Sequence, residues 1–513
     1  LEKFAVEMRN ITKIFGHLKA NDAVDFKLRE NSIHGLLGEN GAGKTTLMNV
    51  LYGLYRQEEG EIYIHGQKTD IVSPLKAISS GIGMVHQHFM LARPLTVVEN
   101  IMLGRKSSRG IFLDTRKVAA EIRELSDRYH LMVDPYARIW QLSVGQQQRV
   151  EILTTIYQGA NILILDEPTA VLTPQEAETL FSILRQMRDD GKSMILITHK
   201  LEEILSVVDD VTILRDGKMI SSFKVTPATT KEELSRLMVG RDVLFDFNPA
   251  AVKPGKERLG MKDLRVKNDK GLPAVNNFSL SVSEGEIVGL AGVDGNGQKE
   301  LAEALTGLRP AEGGKIFING IEAENKPPAF FIHQGVAHIP EDRQNMGLAM
   351  GFCVSKNLII KRFCQQPYAK NGLMNYKNIK NHAQKMIQDF QIKTNSTEDI
   401  TRDLSGGNQQ KVILARELAD EPSVLIANQP TRGLDVGATE YVRSRLLEAR
   451  SKGAAILLIS ADIEEIIQLS DRIAVIYNGE LMGILPKGSQ PETIGLLMMG
   501  KRQGENTGVK ENQ

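Results

Sequence analysis

Short, unbroken apolar runs punctuate the chain: "IHGLL" at Ile33–Leu37, "ILIL" at 162–165 and "MILIT" at Met194–Thr198. Between them the apolar positions recur at helical spacing. Runs this short that do not alternate with polar residues predict strands covered on both faces, and their alternation with helices predicts an α/β domain built on a mostly parallel sheet. Between about Leu91 and Trp140 the helical pattern takes over, which predicts an inserted helical subdomain.

The whole pattern occurs twice. "GLLGENGAGKTTLMNVLYGLYRQEEGEIYIHG" aligns with "GLAGVDGNGQKELAEALTGLRPAEGGKIFING", and "LSVGQQQRVEI" aligns with "LSGGNQQKVIL". The offsets are nearly equal, from Lys44 to Gln298 and from Leu142 to Leu404, so the halves are homologous and differ by small insertions. This is a duplication rather than a solenoid. "FDFNPAAVKPGKE", with two prolines, a glycine and little periodicity, reads as a linker. The expected organisation is a first domain over 1–244, a linker over 245–257, a second domain over 258–502 and a polar tail over 503–513.

Composition narrows the class. At 513 residues the chain exceeds one ordinary core. Its 63 Lys and Arg balance 63 Asp and Glu, which gives no global charge for a polyanionic partner such as DNA. Cys353 and Cys364 are too few for a disulfide framework or a zinc group, which fits a reducing interior. No apolar stretch approaches the roughly 20 residues that cross a bilayer, and the first residues lack a signal peptide's apolar core, so a soluble chain is expected.

"GENGAGKTT" carries the candidate chemistry. It comprises Gly38, Glu39, Asn40, Gly41, Ala42, Gly43, Lys44, Thr45 and Thr46, directly after a predicted strand and before a predicted helix. Glycines let the backbone fold back so that several N–H groups point at one phosphate chain. Lys44 supplies charge to the β- and γ-phosphates, and the Thr45 hydroxyl is a magnesium ligand. In "NILILDEPTA", Asp166 and Glu167 end an apolar strand: Asp166 is placed to hold magnesium, Glu167 to act as general base on the attacking water. His199 ends another such strand at the same edge of the sheet and can reach the γ-phosphate, although a lone histidine there is structural more often than not and only the ordered set of motifs reverses that. Gln87 can contact the magnesium or the water through its amide. Phe15 is placed either to stack on an adenine face or to pack in the core.

The order of the phosphate loop, Gln87, "LSVGQQQ", "LILDEP" and "ITH" resembles the ATP-binding-cassette transporter ATPases over nearly the whole chain. The resemblance implies two tandem P-loop domains, each a mostly parallel sheet core with an antiparallel β subdomain and an inserted helical subdomain. It also implies ATP and Mg2+ as ligands, and a nucleotide shared between one cassette's phosphate loop and the other's LSGGQ-like signature. The second half departs from the pattern at the catalytic places: Gln298 stands for Lys44, Lys299 for Thr45, Asn428 and Gln429 for Asp166 and Glu167, Glu341 for Gln87, and Ala461 for His199. It keeps "LSGGNQQ", with Ser405, Gly406 and Gly407, and has Asp435 where the first half has Thr173. The implied arrangement is one competent site, served by the first half's motifs and the second half's signature, and one degenerate site that hydrolyses ATP slowly or not at all.

"PEDR" and "PTRGLDVGA" in the second half resemble the fused subunits of bacterial sugar and nucleoside importers, and "MVHQHFMLARPLTVVENI" looks more like the nucleoside branch. That resemblance implies integral-membrane permease partners, an extracytoplasmic substrate-binding lipoprotein, no nucleic acid, and a peripheral place on the cytoplasmic face of the membrane. A ribosome-associated tandem cassette is the competing expectation. Gln429 and the short Pro-containing linker count against it.

Overall fold

The computed structural model describes residues 3–86, 90–104, 114–169, 172, 174–242 and 254–501. The chain divides into two compact units, Leu1–Val243 and Leu244–Gln513. The expected linker lies outside the described residues up to 253, while its last residue, Glu257, is already paired with Ser283 in the second unit. The polar tail over 503–513 also lies outside them.

In the first unit the apolar runs are strands. The central sheet runs in the order Lys218–Lys224, Asp210–Arg215, Ile33–Leu37, Ser193–Thr198, Ile162–Asp166, Ile82–Val85, all parallel except the first, an antiparallel hairpin partner. Every residue of Ile33–Leu37, Ile162–Asp166 and Ser193–Thr198 is buried, which is why these strands carry no polar alternation. A second, antiparallel sheet runs Leu18–Arg29, Phe4–Phe15, Glu59–Ile64, Gln67–Lys68. The helix Lys44–Leu51 fills the space between the sheets: Leu47 and Met48 share one core with Val6, Phe26 and Ile62 on one side and Ile164, Ile195 and Ile197 on the other. The loop that opens this helix is thereby fixed. Helices Val97–Met102 and Thr115–Arg128 occupy the region expected to be a helical insertion.

The second unit repeats the plan. Its central sheet runs Val336–Ile339, Val424–Asn428, Ala455–Ser460, Ile287–Ala291, Arg472–Tyr477, Glu480–Pro486, beside an antiparallel sheet of Pro273–Ser283, Glu257–Lys267, Gly313–Ile318 and Ile321–Glu322.

Each central sheet carries a histidine, His34 buried and His338 half-buried. His34 Nε2 lies 2.8 Å from Thr212 Oγ1, and burial, with Arg29 adding to it, pushes its pKa down to about 3. For His338 burial is again the main cause and the value falls to about 4, despite the opposing charge of Glu417. Both folded pKa values lie below that of the unfolded chain. Protons are therefore taken up on unfolding, and stability from this source is complete above about pH 6.5 and is lost at about 1.4 kcal/mol per pH unit per histidine as pH falls toward the folded values. In urea denaturation at pH 7 and pH 5, the midpoint at pH 5 relative to that at pH 7 should be higher in His34→Gln than in the wild type, because the variant lacks this histidine's loss of stability. An unchanged relative midpoint would remove this assignment.

Candidate active site

The strand Ile33–Leu37 runs straight into the glycine loop and the loop into the helix Lys44–Leu51. Gly43 caps that helix with φ 97°, in the left-handed region. A Cβ there would strike the Ala20 carbonyl and come within 2.6 Å of Asn21 Nδ2, so only glycine fits. Lys44 is only 6% exposed, and its Nζ donates to the carbonyls of Gly38 at 2.7 Å and Glu39 at 2.9 Å. Its ammonium thus sits within the loop.

The neighbouring strand ends bring the predicted acids to the same sheet edge. Thr45 Oγ1 donates to Asp166 Oδ2 at 3.4 Å. Burial, reinforced by the charge of Glu167, raises the Asp166 carboxyl to about 6 against the pull of Lys44 and Thr45. Glu167 goes the other way. Burial raises it, but the hydrogen bond from His199 and the charges of His199, Lys44 and Lys200 outweigh this and hold it below the usual carboxylate range. His199 Nδ1 lies 2.8 Å from Glu167 Oε1. Glu167 has φ 47°, a left-handed conformation that costs a non-glycine residue roughly 1–2 kcal/mol, and its N–H donates to Ile197 O. Gln429 repeats that conformation with φ 49° and donates to Ile459 O. The backbone turn has outlasted the change of side chain.

Lys44, Thr45, Asp166, Glu167 and His199 therefore gather at one edge. Gln87 and Thr173 lie outside the described residues. Phe15, at the end of its antiparallel strand, is 42% exposed and meets Tyr55 edge-to-face at 5.2 Å, which removes the core-packing alternative for it.

In the second unit Gly295 and Gly297 keep the loop geometry, with φ 90° and 98°. Gln298, also 6% exposed, has a buried Nε2 with no hydrogen-bond partner, and Lys299 turns toward Glu303 at 3.9 Å and Asp269 at 4.0 Å. Ser405 opens the helix Gly406–Leu418 without capping it and accepts from Asn408 Nδ2 at 2.9 Å, whereas Ser143 in the first unit caps its own helix through Gln146 N–H. Asp435 caps the helix Val436–Ser451 through Ala438 N–H at 2.8 Å, and the Cβ position of Gly407 lies 3.2 Å from Ala438.

Some supporting residues escaped sequence reasoning. Glu203 is buried and accepts from Thr198 Oγ1 and Thr169 Oγ1 beneath the Glu167 turn, and Glu465 does the same for Thr431. Gln148 and Gln410 each donate from the signature helix to the proline carbonyl after the strand, Pro168 and Pro430. The available signal was their identity in both halves, where the predicted catalytic positions differ.

The model of the family described as "ABC transporter" matches residues 21–170 and 275–432. The nucleoside import ATP-binding protein NupA of Lactococcus lactis subsp. cremoris is 48% identical, covering 96% of this chain and 98% of that protein. The guanosine import ATP-binding protein NupO of Bacillus subtilis is 47% identical over 98% and 99%. The glucose import ATP-binding protein TsgD13 of Haloferax volcanii is 44% identical over 96% of each. The chain belongs to the ABC transporter family, as a tandem ATP-binding, ATP-hydrolysing subunit.

Proposed function

We propose that this chain energises the import of nucleosides, with one working ATP pocket in its first unit. The observation that carries the reading is the convergence of buried Lys44, the Thr45–Asp166 pair and the His199–Glu167 pair on one sheet edge. Lys44 and the loop N–H groups hold the phosphate chain. The Thr45 hydroxyl and Asp166 carboxylate are hard oxygen donors of the kind Mg2+ takes, and the ion supplies positive charge to the phosphate oxygens. Glu167, ionised and oriented by His199, takes a proton from the attacking water. Gln87 and Phe15 complete the set at the water and the adenine. Turnover also depends on Ser405, Gly406, Gly407 and Asp435 of the second unit, and the second pocket, lacking the lysine, the acid and the base, hydrolyses little or nothing.

Nucleosides are favoured over sugars because the more similar of the relatives are named for nucleoside and guanosine import, and the glucose importer follows. The partners are a membrane-embedded permease and an extracytoplasmic binding protein, and the chain works at the cytoplasmic face. No described helix is long and apolar enough to cross a membrane. The test is uptake of radiolabelled guanosine, ribose and glucose by cells with and without the gene. Loss of guanosine uptake alone is expected; loss of sugar uptake alone would overturn the substrate reading. Sedimentation with ribosomes rather than membranes would overturn the transport reading.

A further inference from the structure

In the second unit one side chain stitches the loops of the sheet edge together. Arg432, in the turn after the strand Val424–Asn428, pairs through Nη2 with Asp294 Oδ2 at 3.1 Å and through Nη1 with Glu341 Oε1. Asp294 belongs to the glycine loop after Ile287–Ala291, and Glu341 follows Val336–Ile339. Gln429 donates from Nε2 to Asp294 Oδ1 and accepts the N–H of Ala461 on Oε1, both at 3.3 Å. Four adjacent strands, Val336–Ile339, Val424–Asn428, Ala455–Ser460 and Ile287–Ala291, thus all contribute to a single network from the loops that follow them, Val424–Asn428 with two residues, Gln429 and Arg432.

The first half has nothing comparable in its sequence. The positions aligned with Asp294, Glu341 and Arg432 are Asn40, Gln87 and Ala170, none of them charged. The arginine and the two carboxylates belong to the second half alone.

The donor set for a divalent ion is missing here, since Asn428 and Lys299 replace Asp166 and Thr45 and Lys299 is directed to Asp269 and Glu303. Two hard carboxylates nonetheless remain close together. Burial raises the Glu341 carboxyl, Arg432 opposes that rise and Asp294 adds to it, so the acids repel each other through the space the guanidinium occupies.

We propose that Arg432 is the built-in cation of the second pocket: by neutralising Asp294 and Glu341 it holds the four strand-end loops together without metal, and it leaves this pocket unable to take Mg2+. The inference rests on the reading of the second pocket as the non-hydrolysing one, and its test involves no turnover. It explains why the glycine loop and the Gln429 turn keep their shape after losing the groups that bind phosphate.

The experiment is Mn2+ titration of the full chain without nucleotide, followed by electron paramagnetic resonance, in an Asp166→Asn background that removes the first pocket's carboxylate. With Arg432 present no Mn2+ site is expected. Arg432→Ala should create one, at least about tenfold tighter than background, because two facing carboxylates lose their counter-ion. Its melting temperature should fall without divalent ions and recover in millimolar Mg2+. Arg432→Lys, which keeps the charge, should create no site, and Arg432→Ala combined with Asp294→Asn should lose it again. A second-unit Mn2+ site already present with Arg432 intact, or no site and no change in melting on Arg432→Ala, would overturn the proposal. The asymmetry of hydrolysis is judged separately, by turnover of Glu167 and Gln429 variants.

Discussion

Glu167→Gln is expected to lower ATP turnover by about a hundred- to ten-thousand-fold, the usual worth of a positioned general base, while Gln429→Ala leaves it nearly unchanged. The substitution keeps the size and hydrogen-bonding reach of the side chain and removes only the basic carboxylate, so the left-handed turn and its N–H bond to Ile197 O should persist. Glu167 suits the task because the His199 contact and nearby cations hold it ionised despite burial. Gln429 spends its amide on Asp294 and Ala461 and has no proton-accepting group to lose. Steady-state phosphate release, with MgATP binding measured in parallel, separates the base from the cradle: Glu167→Gln should still bind MgATP. Comparable losses from the two changes would defeat the one-pocket reading.

Different parts of this molecule left different traces in the sequence. Ile33–Leu37, Ile162–Asp166 and Ser193–Thr198 are legible because both faces are covered and nearly every interior position is apolar, His34 being the exception. The antiparallel sheets are not, and Phe4–Phe15 shows why. Its alternation breaks at Arg9 and Asn10, where Asn10 takes φ 51° and the register with Leu18–Arg29 shifts. Glu257–Lys267 breaks likewise at Asp263, with φ 48°. A period of two cannot be read across such a bulge, so only the family resemblance suggested these sheets. Lys44, Asp166, Glu167 and His199 were visible because each follows its own strand at a fixed place in the repeat. The pairing of Arg432 with Asp294 and Glu341 was not legible: these charges come from three distant segments, and only the sheet order makes them neighbours.

The second large effect concerns binding rather than chemistry. Lys44→Ala should weaken MgATP by about a hundredfold or more, since losing a buried, charge-assisted contact to phosphate is worth roughly 3 kcal/mol and each 1.4 kcal/mol is about tenfold. The fold should survive. The helix Lys44–Leu51 is anchored by Leu47, Met48, Val50 and Leu51, and Gly43 rather than Lys44 sets the loop's turn. A thermal-shift titration reads this directly, because a ligand that binds only the folded state raises the melting temperature in proportion to the logarithm of its concentration over its Kd. The wild-type chain should show that rise, Lys44→Ala should lose it, and Gln298→Ala should retain it. Gln298→Lys should not restore turnover to Lys44→Ala, because a lysine in the second loop would face Asn428 and Gln429 instead of an acid and a base. An undiminished nucleotide shift in Lys44→Ala, or its loss in Gln298→Ala, would place the tight nucleotide in the second unit and reverse the assignment of the two pockets.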